Sequence, residues 1–169
     1  MPDLTPVIAA CTRWLLNAYP PPGGAFSRTL AETQARQATA LAAALRYPTA
    51  MDVQLLDLLG PGGADRLDRL TGSGPAPDGS AWRSWVDETV VSWAACLLAD
   101  PVLAAHAHRA LATTEHHSGT GALRRLTHPG PHDTQAAVLL RHPDLLEPVA
   151  ALHRIRLLER LNAEGVQAA

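Results

Sequence analysis

The chain has 169 residues, enough for one domain with a proper core and too few for two full ones. A formal net charge of -2 and a pI of about 6.4 leave no basic footprint for nucleic acid, and no apolar run is long enough for a membrane span. Every basic side chain apart from histidine is arginine, so a Schiff-base lysine, a P-loop lysine and a Ser-Lys dyad are all excluded.

The same bias, with abundant Ala, Gly, Pro and Leu, has the look of a GC-rich, actinobacterial-like genome. Apolar residues make up 47% of the chain, an ordinary globular value, but aromatics only 4%, so each tryptophan should matter for packing. Cys11 and Cys96 both sit in apolar helical contexts and read as buried free thiols. No positively charged stretch precedes the short apolar run near the N-terminus, so a secretory signal is not expected and a cytoplasmic location is.

Taken in order, Thr5 to Asn17 reads as a first helix, with Thr5 as N-cap, Pro6 in the first turn and a stripe of Val7, Ile8, Cys11, Trp14, Leu15 and Ala18. The run YPPPGGAFS ends it. A second helix spans Ser27 or Arg28 to Arg46, rich in Ala and Gln, and its thin stripe of Leu30, Ala38, Leu41 and Leu45 implies close packing or partial exposure. Thr49 restarts the chain, Ala50–Leu59 forms a short leucine-rich helix ended by GPGG, and Ala64 to Leu70 or Thr71 forms another. This pair superficially resembles a helix-turn-helix, but Asp65 and Asp68 would repel phosphate.

Residues 72–79, GSGPAPDG, are the clearest breaker cluster and read as a loop or hinge between an N-terminal part (5–71) and a C-terminal part (80–163). Ser80–Asp100 then reads as one long helix carrying Trp82, Trp85 and Trp93 at helical spacing on a broad apolar face. Asp100-Pro101 stops it and starts a helix to about Glu115, giving an antiparallel hairpin. Beyond a Gly-, Pro- and His-rich stretch, a turn covers 122–126, Asp133 caps a helix over Thr134–Arg141, and a last helix runs from Leu145 to about Ala163 with Gly165 as its cap. No run alternates like a strand, and no repeat stands out. The expected fold is all-α: a single compact bundle of about seven to nine helices around a central Trp-rich hairpin.

Chemistry concentrates in the histidines. All eight lie beyond residue 100, as a metal or acid–base site would need. His106 and His108 diverge by roughly 200° around a helix, and no HExxH, CxxC or paired ExxH motif is present. The best ligand set, for Zn²⁺ or another divalent metal, is His108, Glu115 and His116 with His128 or His132 folding back. Solvated histidines, with His116 and His117 favoured at a helix C-terminus, are the competing reading.

Ser118 in HHSGTG lacks the GxSxG elbow, and the glycines there lack a phosphate-loop lysine. Asp87 and Glu88 read as the solvated edge of their helix. Arg124, Arg125, Arg141, Arg154, Arg156 and Arg160 make the last third locally basic, for ordinary pairing or for an acidic partner. The four tryptophans read as core rather than as a stacking platform.

Two functions remain. One is a small cytosolic accessory or interaction protein, partnered with a larger enzyme or regulator or forming a homodimer. It would use the broad apolar face of the last helix through Leu145, Val149, Leu152 and Ile155. The other is a small all-α enzyme or ligand- or metal-binding protein with its site at residues 106–132. Neither nucleic acid nor membrane is an expected partner.

Overall fold

The computed structural model describes residues 3–73, 80–116 and 123–167. Among them the chain is all-α, with no strand. Asp3 opens it by accepting a hydrogen bond from the Thr5 amide at 2.9 Å, and α1 (Thr5–Ala18) has Leu4 rather than Thr5 at its N-cap position. Gly24, at a φ of 111° that favours glycine, turns the chain into α2 (Ala25–Arg46) two residues ahead of Ser27.

α2 is the centre of the molecule. Its most extensive contact is with α5 (Glu88–Ala99), and it also packs on α1 and α8 (Pro131–Ala136). Its buried face is mainly alanine, Ala31, Ala35, Ala38 and Ala42 among them, and such small side chains let neighbouring helix backbones approach closely. The helices on either side of Asp100-Pro101 touch, but theirs is not the largest contact.

Thr49 and Asp52 form a reciprocal capping box that starts α3 (Ala50–Leu59). α4 (Asp65–Thr71) ends on Gly72, left-handed at a φ of 66°. The stretch expected as one helix over Ser80–Asp100 is two pieces. Ala81–Trp85 is a 3-10 turn, Val86 and Asp87 are extended, and α5 begins at Glu88 and runs to Ala99. The break has a local cause: Asp87 Oδ1 accepts the Thr89 amide at 2.8 Å, and Val86 drops fully into the core.

The tryptophans divide accordingly. Trp93 and Trp14 are core, whereas Trp85 is exposed and Trp82 is only part-buried, flanked by the Arg13 and Arg83 guanidiniums at 5.2 and 5.4 Å. Asp87 is itself buried, bonded also by the Tyr47 hydroxyl, so it is a cap and not a solvated edge.

Asp100 Oδ1 accepts the amides of Val102 and Leu103 and starts α6 (Pro101–Ala110), which tightens into a 3-10 turn over Leu111–Thr113 rather than continuing to Glu115. α7 (Arg124–Thr127) and α8 (Pro131–Ala136) are short, and Asp133 lies inside α8 with its Oδ2 accepting the Gly130 amide.

The last expected helix is also two: α9 (Pro143–Ala150) and α10 (Arg154–Gln167), so Gly165 lies within a helix instead of capping one. Partners on α5 account for the break. Ser92 Oγ donates to the Ala150 carbonyl at 3.1 Å and accepts the His153 amide at 3.0 Å, while Trp93 Nε1 donates to the His153 carbonyl at 3.0 Å.

One hydrophobic cluster runs from Leu4 on the N-terminal side to Leu161 on α10. Among the described residues, no helix is long and apolar enough to cross a membrane.

Candidate functional site

The histidine set is where chemistry was expected, and its members have separate local tasks. Glu115 Oε2 accepts the Ala50 amide at 2.8 Å and so caps α3. His116 is buried, and its Nε2 donates to the Tyr47 carbonyl at 2.8 Å, which fixes the tautomer that carries a proton on Nε2. His128 shares a 3.0 Å hydrogen bond with Thr127 beside it, and His108 and His132 are exposed on α6 and α8. Among the described residues no group of three His, Cys, Asp or Glu side chains could hold a metal ion. His117 and Ser118 lie outside the described residues.

Cys11 and Cys96 are free and buried, and burial raises both thiol pKa values, so neither is poised as a nucleophile. Arg141, one of the cations considered for anion binding, is a staple. It donates to Gln34, to the Leu98 carbonyl at 3.1 Å and to the Arg125 carbonyl at 2.6 Å, joining α2, α5 and α7.

The expected interface does not form one face. The turn at 151–153 separates Leu145 and Val149 from Ile155; Val149 is fully buried in the core and Leu152 is half-buried against it. Leu145 and Ile155 alone of the four are exposed.

A coherent apolar surface lies instead on α3. Met51 is 72% exposed, Leu55 46%, Leu58 80% and Leu59 80%. At 100° per residue these four occupy an arc of about 100°, one side of the helix. Val53 and Leu56, on the opposite side, tie α3 to the core. Asp52 lies beside the crest with its carboxylate in the capping box, Asp57 lies on the anchored side at about 150° from the crest's centre, and the segment from Tyr47 to Ala64 contains no cation. α3 is therefore a leucine crest on a helix of net negative charge. The signal was present in AMDVQLLDLL, whose Leu, Met and Val side chains spread over about 220° of the helix, more apolar surface than one core contact covers.

Two concavities accompany the crest. A groove of about 540 Å³ between α1 and α2 is lined by Ile8, Ala9, Leu16 and Ala40 together with Arg13, Arg36 and Glu32. A cleft of about 410 Å³ by the end of α2 is lined by Arg46, Arg156 and Arg160 with Glu159, above Leu45 and Trp93. Among the described residues neither Arg46 nor Arg156 is in an ion pair.

Comparison with protein-family models, with curated proteins and with solved structures finds no match for this chain.

Proposed function

We propose that the protein is a small cytoplasmic interaction module that acts by docking on a protein partner, with α3 as its docking element. The observation that carries this reading is the row Met51, Leu55, Leu58 and Leu59, held out to solvent on a helix anchored by Val53 and Leu56. An apolar helix face of this kind fits a hydrophobic groove, with anchors at i, i+4 and i+7 supplying the affinity. The net negative charge of α3, with Asp52 and Asp57 and no cation from Tyr47 to Ala64, favours a groove or facing helix with a cationic rim.

The test uses two labelled synthetic amphipathic helices with the same leucine seam, one flanked by arginines and the other by glutamates. The arginine peptide binds, and Leu58→Asp with Leu59→Asp weakens it by about 30-fold or more, the loss of one or two hot-spot side chains. The helical circular dichroism of that variant stays unchanged, because both side chains are exposed. Equal binding of both peptides, or binding indifferent to the crest substitutions, removes α3 as the docking element.

A second reading rests on the Arg46, Arg156 and Arg160 cleft, whose guanidinium forks suit a phosphate or carboxylate ligand. Inorganic pyrophosphate then raises the melting temperature relative to chloride at matched ionic strength, and Arg46→Ala with Arg156→Ala removes the shift. No shift, or an unchanged one, dismisses it.

A further inference from the structure

We infer that the groove between α1 and α2 binds a free α-amino acid with an apolar side chain, at a site separate from α3 and independent of its docking role. The groove, at about 540 Å³, has the size of a small-molecule site. Its lining brings together aliphatic side chains, chiefly Ile8 and Leu16, the guanidiniums of Arg13 and Arg36, and the carboxylate of Glu32. A zwitterion with an aliphatic tail matches all of these at once.

The charges are free to meet it. Glu32 and Arg36 stand at i and i+4 on α2, in the order that favours a helical ion pair. Among the described residues, however, they pair neither with each other nor with another side chain. Cβ atoms at that spacing lie about 5–6 Å apart, so one group can take the ammonium and the other the carboxylate of a single α-carbon. Arg13 joins them from α1, with its guanidinium over the Trp82 ring at 5.2 Å. That stacking uses the face of the guanidinium and leaves in-plane N–H groups for a carboxylate.

Thr12 adds a hydrogen-bonding group of defined polarity. It lines the groove, is only 7% exposed, and its Oγ1 lies 2.8 Å from Thr39 Oγ1. Thr39 spends its single hydroxyl proton on the α2 backbone, between the Ala35 carbonyl at 2.9 Å and the Arg36 carbonyl at 3.1 Å. Thr12 is therefore the donor between the two hydroxyls, and its own oxygen accepts no bond among the described residues. An oxygen with open lone pairs receives an ammonium and repels a carboxylate. Glu32 and Thr12 thus select the ammonium, Arg13 and Arg36 the carboxylate, and Ile8 and Leu16 the side chain.

NMR chemical shifts of the full chain, titrated with L-leucine and three analogues that each lack one feature, test this. The analogues are 4-methylpentanoate, without the ammonium; leucinamide, without the carboxylate; and glycine, without the side chain. Leucine shifts amides of α1 and α2, and each analogue binds at least about tenfold more weakly, the loss of one charge-assisted contact or one covered side chain. Glu32→Gln weakens leucine about tenfold and leaves 4-methylpentanoate unchanged, because that ligand has no ammonium to lose, whereas Arg36→Gln weakens both. Both side chains are exposed, so the variants keep the fold, which circular dichroism checks. Absence of shifts on α1 and α2 at millimolar leucine overturns the inference. Equal binding of leucine and any one analogue overturns it too, as does an unchanged leucine affinity in folded Glu32→Gln.

Discussion

Asp133 is the side chain on which the α7–α8 corner depends. Its Oδ2 accepts the Gly130 amide at 3.0 Å, its Oδ1 accepts from Arg125 at 2.7 Å, and its carbonyl receives Gln34 Nε2 at 3.0 Å. Burial alone would raise this carboxyl, but the Gly130 amide and the Arg125 guanidinium outweigh it and hold the pKa below the ordinary 3.8. A carboxylate depressed on folding contributes stability above its unfolded pKa and loses that contribution as pH falls through the folded one. Asp133→Asn therefore destabilises the protein by about 1 kcal/mol at pH 7, a figure kept small because Arg125 is half-exposed to screening water. The difference from wild type shrinks as the pH drops below about 4. Urea denaturation of both proteins at pH 7 and in acid checks this; a gap that persists unchanged in acid would contradict it. Asp100 was legible as a cap because Asp-Pro between two apolar helices has one local meaning, whereas Asp87 was not. Its acceptance of the Tyr47 hydroxyl is a long-range contact that turns an apparent surface residue into a buried one.

At the scale of the helix, the sequence pattern favours large apolar residues and so pointed to the tryptophan-bearing stretch, while the fold centres on the alanines of α2. Alanine adds little to a hydrophobic stripe, yet it determines how closely two helices pack. Ala38→Leu, at a fully buried position, overpacks that core and costs about 1–3 kcal/mol. Ala25→Leu, on the exposed first turn of the same helix, stays within about 0.5 kcal/mol of wild type. Urea midpoints with an unchanged m-value measure both, and equal costs at the two sites would refute a tight α2 core. The divided helices have a related explanation. Nothing near Ala151–His153 announces a break, because the groups that receive its backbone, Ser92 and Trp93, lie about sixty residues away on α5. α3 is legible as a helix from Ala50 to Leu59, but the pattern does not say which of its leucines face the core. Periodicity shows that a face is apolar; it does not show which of two apolar faces is covered.

Across the whole molecule, the glycine- and proline-rich segment after α4 invites a division into two halves, and the contacts between the halves argue for one folding unit. Trp14 Nε1 donates to Asp68 within the N-terminal part, while the Tyr19 hydroxyl donates to the Leu145 carbonyl and Gln34 reaches the Asp133 carbonyl in the C-terminal part. Tyr47 meets Asp87 and His116 from the far side of the same segment. The core cluster likewise draws on both parts, with α2 and α5 as its largest internal contact. Separating the halves would expose the alanine face of α2 and the apolar surface of α5 together, an area neither half can cover alone. Unfolding is therefore a single cooperative transition. Trp14 and Trp93 lie one in each half and both are core, so their fluorescence reports on the two sides, while circular dichroism at 222 nm reports on all the helices. The fluorescence and dichroism curves should coincide in urea, and Trp14→Phe and Trp93→Phe variants should each show the same coincidence. Two separated midpoints would mean that α2 and α5 part before the halves unfold, and that the segment after α4 is a hinge between domains.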